Sequence, residues 1–560
     1  MELSKSKKRK VVVIGLDGVP CSFVQEMTER GELPNLKALF SEGSLIRMRS
    51  TIPCVSSVAW SSYMTGRNPG KHNIYGFVDR DPKSLDLYIP TSKNMGSQTL
   101  WEALGQQGKR VLVINVPLTY PPEEVNGFLI SGLLTPRDCA DWAYPKELVQ
   151  ELREQVGTYL IHHDEKYTKS NVENLLLEQH RILQSRTEAA LYLIREKQWD
   201  FFMVHYYGPD RMTHEFWHLL DPSHPQHDAQ ERQRFGNVVL DFFRRLDSDL
   251  GKLLATLDEN VVVILMSDHG MGPVTKFLNV NSWLMSEGYL RLKGDVLTRV
   301  KQGLFRAGFN YYTLGKLVLQ AGWGKKAVQI GRGRRQELQE RVFLSFRDVD
   351  WSRTRAYSMG NYGQIYANLR GREPQGCVKP GPEYEALLEE LTEKLGSLVD
   401  PESGKKVVER VFRAHDVYSG EFVDQAPDLL FLTSDMQYKA LGLSDFNSPR
   451  VLEPVYGCTG NHRMEGLVAL QGNEVIGEGI TIEGASIEDL APTILYLLGV
   501  PVPREMDGEV LRSAFSPGFW RAHPVESDDR EAMSEPPAER SYSQEEEEEL
   551  ARRLRGLGYV

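Results

Sequence analysis

Cysteine is scarce in this chain: five residues in 560, odd in number and scattered at positions 21, 54, 139, 377 and 458. That supply makes neither a disulfide framework nor a paired CxxC metal site, so a reducing compartment is expected. Long apolar runs are missing as well, and nothing approaches the roughly 20 residues of a transmembrane helix. The basic start Met1–Lys10 leads into only Val11–Ile14 before a glycine, too short an apolar core for a secretory signal. Together these absences predict a cytoplasmic protein. An excess of positive charge is lacking too: 66 Lys and Arg stand against 77 Asp and Glu, a net charge of −11, which argues against a nucleic-acid polymer as partner. No internal repeat is found. What remains is ordinary for a globular chain, with 41% hydrophobic and 26% charged residues and enough length for one large α/β domain with insertions, or for two or three domains.

The informative stretch is Val261-Val262-Val263-Ile264-Leu265-Met266, followed by Ser267-Asp268-His269-Gly270-Met271-Gly272. Six apolar residues, mostly β-branched, predict a strand buried on both faces. The strand ends by delivering a carboxylate and an imidazole together, and the carboxyl edge of a parallel sheet is where α/β proteins bind ligands. Val11-Val12-Val13-Ile14-Gly15-Leu16-Asp17-Gly18 repeats the pattern, although an Asp among glycines is also a common turn former. Phe201–Tyr206 gives another such strand, and Asp210 and His214 follow four apart, on one face of a helix starting near Pro209. His218, His224 and His227 lie close by in sequence and dilute that signal. Three strand ends thus supply three carboxylates and two histidines, suitable ligands for two zinc-like ions.

The segment Ser50–His72 is dense in hydroxyls, and a proline precedes a helix predicted from about Ser57 to Met64. Ser56 and Ser57 suit either capping of that helix or a nucleophile beside a metal.

These residues resemble the alkaline phosphatase superfamily, in particular its type I phosphodiesterase/nucleotide pyrophosphatase branch and the proteins described as phosphohydrolases or phosphomutases. The resemblance is carried by Gly15–Gly18, the Ser50–His72 segment with Thr65-Gly66-Arg67-Asn68-Pro69, Asp210–His214, Asp268–Gly272, Asn461–Gly466 and Asp489–Val500, in that order over residues 10 to 512. It implies an α/β/α sandwich with a central, mostly parallel sheet and an inserted cap. One metal would be held by Asp210, His214 and His462, the other by Asp17, Asp268 and His269. Zn2+ is the expected ion, with Mn2+ or Mg2+ as alternatives. Ser56 falls at the nucleophile position, with Ser57 and Thr51 as lesser candidates. The nucleotide pyrophosphatases carry a phosphoryl-binding asparagine three residues on, where this chain has Ala59. The implied activity is hydrolysis of a small phosphodiester, pyrophosphate or phosphomonoester through a phosphoserine. The alternatives are a phosphomutase or phosphotransferase on the same site, or a non-catalytic binding module. No sulfatase maturation motif follows Ser56.

Further readings concern the surroundings of that core. Arg67, Lys71 and Arg372 are candidates for holding substrate phosphate. Residues 10–280 and 351–515 are expected to form the core. From Arg291 to Arg341 twelve Lys or Arg stand against three Asp or Glu, so 281–350 reads as a basic helical cap that guides an anionic substrate or touches anionic membrane. Ala356–Pro374 reads as a strand pair with glycine turns near the mouth of the site. His462 is expected on a loop, and one long helix is expected from His227 to Leu257. Residues 516–543 read as a linker and 544–560 as a helical tail.

Overall fold

The computed structural model describes residues 8–162, 171–320, 342–442, 446–477, 481–528 and 542–557. Its centre is a nine-stranded sheet built from β1 (Lys10–Leu16), β2 (Ser44–Arg49), β3 (Val111–Ile114), β4 (Gly127–Ile130), β5 (Ala143–Tyr144), β6 (Phe201–Tyr206), β7 (Val261–Met266), β8 (Glu465–Gln471) and β9 (Thr481–Ser486). The strand order is β9-β2-β8-β7-β1-β6-β3-β4-β5. The run from β7 through β4 is parallel, and β8 is antiparallel to both of its neighbours, β7 and β2.

Side-chain alternation along β1 explains why an unbroken apolar run was needed. Val11 and Val13 enter the core on one face, Val12, Ile14 and Leu16 the core on the other, and all five are buried. Helices cover both faces, which gives the expected α/β/α sandwich. On the first face lies α1 (Ser56–Thr65), whose ten residues are all buried. On the second lie α2 (Val172–Glu196), α3 (Gly208–Leu220) and α4 (Val238–Leu254). The expected long helix from His227 to Leu257 is two helices, Ala229–Phe235 and α4, broken at Gly236-Asn237. The break lets α4 aim Phe242, Phe243, Leu246 and Leu250 at the sheet.

Between β7 and β8 the chain builds a second apolar cluster, from Leu278 to Phe446, around small three- and four-stranded sheets. The expected return to the core at 351 differs from this: strands between 356 and 454 pair only with one another or with Lys276–Asn279, and the large sheet resumes at β8. Two helices of the basic insertion are described, α5 (Val296–Arg306) and α6 (Tyr311–Gln320); residues 321–341 lie outside the described residues.

The start of the expected linker is structured. Ser516 caps the helix Pro517–Ala522, and Phe519 packs on Tyr496 and Phe515 because an aromatic cluster is available there. The tail docks on the body as α7 (Gln544–Leu557). It buries Leu550, Leu554 and Leu557, and Arg553 donates to the carbonyls of Leu133 and Thr135.

Candidate active site

Strands β7, β1 and β6 are parallel neighbours in register, so their carboxyl ends open on one edge. Asp17 follows β1, Asp268 and His269 follow β7, and α3 begins two residues after β6 with Asp210 in its first turn. His214 sits one helical turn further, its Nε2 3.3 Å from Asp210 Oδ1. His462 comes from the far end of the chain. It lies on a short strand, Gly460–Arg463, rather than on the expected loop, because Gly270–Pro273 pairs antiparallel with it and sets Met271 opposite His462. Gly18 has φ +59°, and a Cβ there would meet Asp210 Oδ1 at 2.6 Å, so the turn after Asp17 has room only for glycine.

The structure thereby brings together all six residues expected as metal ligands. Ligand atoms of Asp210, His214 and His462 lie within 4.8 Å of one another, as do those of Asp17, Asp210 and His269. Asp268 borders the second group, with Oδ2 3.3 Å from His269 Nε2 and Oδ1 accepting from the Gly18 amide. All six side chains are at most 3% exposed.

Backbone carbonyls aim the three imidazoles of this cluster. His214 Nδ1 donates to the Gly460 carbonyl at 2.8 Å, His462 Nδ1 to that of Cys54 at 2.8 Å, and His269 Nδ1 to that of Gly270 at 3.0 Å. With Nδ1 committed to a carbonyl, each ring presents Nε2 to the carboxylates, His214 and His462 to Asp210 and His269 to Asp17 and Asp268. The Nε2 atoms of His214 and His462 lie 2.9 Å apart, close enough to share one proton or to be joined by a cation. Asp268 Oδ2 is buried with no hydrogen-bond partner among the described residues. Three imidazole Nε2 atoms and three carboxylates converging in a buried site are a donor set suited to divalent metal ions.

The electrostatics agree. Burial, followed by the charge of Asp210, raises Asp17 to about 7. Burial and then Asp17 raise Asp268 well above the carboxylate range. Burial also acts to raise Asp210, but His214, His462 and His269 outweigh it and hold that carboxyl low.

Ser56, the first residue of α1, enters this cluster from the opposite face of the sheet. Its Oγ lies 3.1 Å from Asp17 Oδ1, to which it donates, and 3.1 Å from His269 Nε2. Thr51 instead spends its hydroxyl on the Pro53 carbonyl. Ser57 Oγ is buried without a partner among the described residues.

The type I phosphodiesterase / nucleotide pyrophosphatase family model matches residues 11–438. The chain belongs to that family. A member of this phosphodiesterase family is a hydrolase acting on phosphoric esters, and the six clustered side chains suit its chemistry. Among solved structures, phosphonoacetate hydrolase from Sinorhizobium meliloti 1021 is 13% identical, covers 88% of this chain and 96% of its own, and has a TM-score of 0.50, which supports the shared fold. Murine ectonucleotide pyrophosphatase/phosphodiesterase 5 is 12% identical over 91% of this chain and 100% of its own, with a TM-score of 0.49. The human enzyme of the same name is 12% identical over 92% and 99%, with a TM-score of 0.48. No curated protein sequence matches.

Other residues expected at this phosphodiesterase site are tied up elsewhere. Arg67 pairs with Glu505, and Lys71 with Asp507 and the Glu505 carbonyl. Arg372 binds Asp428 through both terminal nitrogens and Glu373 through Nε. His218, His224 and His227 make contacts with Glu231, the Val274 carbonyl and the His218 carbonyl, outside the ligand cluster.

Sequence reasoning passed over His205, Trp60, Tyr207 and Tyr362. His205 Nε2 and Trp60 Nε1 both donate to Asp17 Oδ2, at 2.9 and 3.1 Å, which turns Oδ1 toward Ser56. A signal was there: His205 is the one charged-capable residue in the apolar run of β6, and it pairs in register with Gly15, two residues before Asp17. Tyr362 stands at the glycine-rich turn between the strands Ala356–Tyr357 and Gln364–Ala367, and its ring stacks on His462 at 5.3 Å. The hydroxyls of Tyr207 and Tyr362 are buried and have no hydrogen-bond partner among the described residues. Burial, with Asp210 among the nearby charges, raises both phenols well above their ordinary range, so each stays a proton donor.

Proposed function

We propose that this protein is a metal-dependent hydrolase of a small phosphodiester, pyrophosphate or phosphomonoester, and that Ser56 carries the phosphoryl group as a phosphoserine. The observation that supports this reading is the Ser56 hydroxyl set against Asp17 and His269 inside a buried cluster of imidazoles and carboxylates. Asp210, His214 and His462 would hold one ion, and Asp17, Asp268 and His269 the other, with zinc the best match to mixed nitrogen and oxygen donors. Bound there, the ions would neutralise phosphoryl charge and lower the pKa of the attacking hydroxyl.

Ser56 Oγ passes its proton to Asp17 Oδ1, to which it already donates, and forms the O–P bond while the leaving oxygen departs with its electron pair and then takes up that proton. Water then displaces Ser56 from phosphorus, which frees the product and restores the hydroxyl. Asp17, fixed by His205 and Trp60, holds Ser56 in line. With Ala59 at the position of the pyrophosphatase asparagine, the Tyr362 hydroxyl takes over as donor to a phosphoryl oxygen. A cytoplasmic setting is supported by five cysteines that are all free. No helix among the described residues is long and apolar enough to cross a membrane.

The test is hydrolysis of bis-p-nitrophenyl and p-nitrophenyl phosphate with zinc or manganese, together with acid trapping of a labelled phosphoenzyme. Ser56→Ala should lose both turnover and label, whereas Thr51→Ala keeps them; unchanged turnover in Ser56→Ala overturns the nucleophile. Tyr362→Phe should lose about 100-fold in kcat, as for other oxyanion donors, and a wild-type rate there removes Tyr362 from the mechanism. Transfer of label to a second hydroxyl instead of water would make the protein a phosphotransferase.

A further inference from the structure

Helix α5 turns its polarity inside out. Its lysine is inside: Lys301 is 6% exposed, and its Nζ lies 3.0 Å from Asp348 Oδ1. Thr298 and Phe305 are buried beside it. Its aliphatic residues are outside, with Val296, Leu297, Val300 and Leu304 at 79%, 60%, 53% and 44% exposure. At i, i+1, i+4 and i+8 these four share a stripe about 100° wide. Phe309 in the connecting turn is 47% exposed, and Leu314 and Leu317 on α6 are 45% and 57% exposed. Among the described residues ten large hydrophobic side chains stand exposed, and eight of them lie between 296 and 342. Apolar residues scattered singly over a surface need no explanation, but a contiguous group marks an interaction site.

Charge selects the occupant. The patch is framed by the exposed Arg291, Lys293, Arg299, Arg306 and Lys316, in a protein whose net charge is −11. Asp295 is the one acidic residue between positions 291 and 320, and it is engaged in capping α5 through the Thr298 amide. A second copy of the chain docking through the same patch would set one basic frame against another, which is repulsive. An anionic lipid surface satisfies both features, taking the aliphatic stripe into the acyl boundary and the basic frame against the headgroups. We infer that α5 and α6 form a docking surface for an anionic bilayer. The surface is braced against the site, since Tyr312 on α6 donates to the Pro454 carbonyl at 3.1 Å and packs on Tyr456, in the segment that leads to His462.

The experiment is flotation of the full-length protein with vesicles of phosphatidylcholine, with and without phosphatidylglycerol, at low and high salt. Binding is expected with the anionic vesicles at low salt, weakening about tenfold or more at high salt. The triple variant Leu297→Ser, Val300→Ser, Leu304→Ser should reduce binding by about tenfold or more, because each change removes apolar area from the contact. Leu177→Ser, at an exposed leucine on α2 far from the patch in sequence, should bind like the parent chain. Melting temperature and turnover of a water-soluble substrate are expected to be unchanged in all variants, so a loss of binding is not a loss of fold. Absence of binding to anionic vesicles, or binding that the triple variant leaves intact, overturns the inference. A concentration-dependent dimer in light scattering that the triple variant abolishes overturns it as well, by assigning the patch to a second copy. None of these readouts depends on which ester the site hydrolyses.

Discussion

Replacing His205 with Phe should weaken metal binding without touching a metal ligand. Burial, then the Arg186 guanidinium, hold the His205 imidazole neutral, and its Nε2–H donates to Asp17 Oδ2 at 2.9 Å. Phe keeps the aromatic ring beneath Trp60, whose centroid lies 4.7 Å from that of His205, so the packing change is small. What disappears is one of the two donors that orient Asp17. A hydrogen bond to a carboxylate contributes about 1.5–3 kcal/mol. Removing such an orienting partner elsewhere costs about 10- to 100-fold in metal affinity, which is the same range. The Trp60 indole still donates to Oδ2 at 3.1 Å, which places the expected loss toward the lower end. The assay is a competitive chelator titration of zinc on wild-type and His205→Phe protein, with circular dichroism to verify the fold. A second substitution, Trp60→Phe, should then cost more in the His205→Phe background than alone, because the two donors share one oxygen. A His205→Phe protein that holds both zinc equivalents with wild-type affinity would falsify the claim that this histidine positions Asp17.

Two further predictions concern stability. Arg372→Ala should destabilise by about 3 kcal/mol in urea unfolding, because it strands buried Asp428 without its guanidinium partner, while Glu373 keeps Arg80. Turnover per folded molecule should hold; a raised KM with unchanged stability would instead return Arg372 to the substrate. Burial raises Asp79 to about 7, against an ordinary value of 3.8. Below 3.8 the carboxyl is protonated in both states and costs nothing; between 3.8 and about 7 only the unfolded chain ionises, so stability falls, and above that the cost is constant. Asp79→Asn should therefore be more stable than wild type at pH 8, by at most about 4 kcal/mol, and no more stable at pH 4. Thermal melts at the two pH values check this, and an equal offset at both would contradict it.

The candidate ligand residues were legible because each follows an apolar run that has no other reason to end in a charge: Asp17 after β1, Asp210 after β6, Asp268 and His269 after β7. Those runs also announced a sheet buried on both faces. His462 was legible through its motif alone, since nothing local says that Gly270–Pro273 will pair with it across 190 residues. The same distance hid the true partners of Arg67, Lys71 and Arg372. A cation beside a phosphate-binding motif looks free until Glu505, Asp507 and Asp428 fold against it. The turn at Gly236-Asn237 was overlooked because both helices it separates keep an amphipathic pattern. Tyr362 could be placed near the mouth of the site from its glycine turns, but the lack of any partner for its hydroxyl is a property of packing, not of sequence.

The placement of β8 has a consequence for how the protein is made. This strand, residues 465–471, is wedged between β2 and β7, which end at residues 49 and 266. A nascent chain that has passed β7 and reached His269 already carries Asp17, Asp210, His214, Asp268 and His269, yet the neighbouring slot in the sheet is empty and His462 has not been synthesised. Such long-range closure is slow, and the apolar edge of β7 stays open to the wrong partners while translation continues. Occupancy of the Asp210–His214–His462 group would then be a readout of chain completion: a ribosome stalled before residue 462 displays Asp17, Asp268 and His269 together, but the other candidate group gains its third member only once the late segment has been threaded back to the early strands.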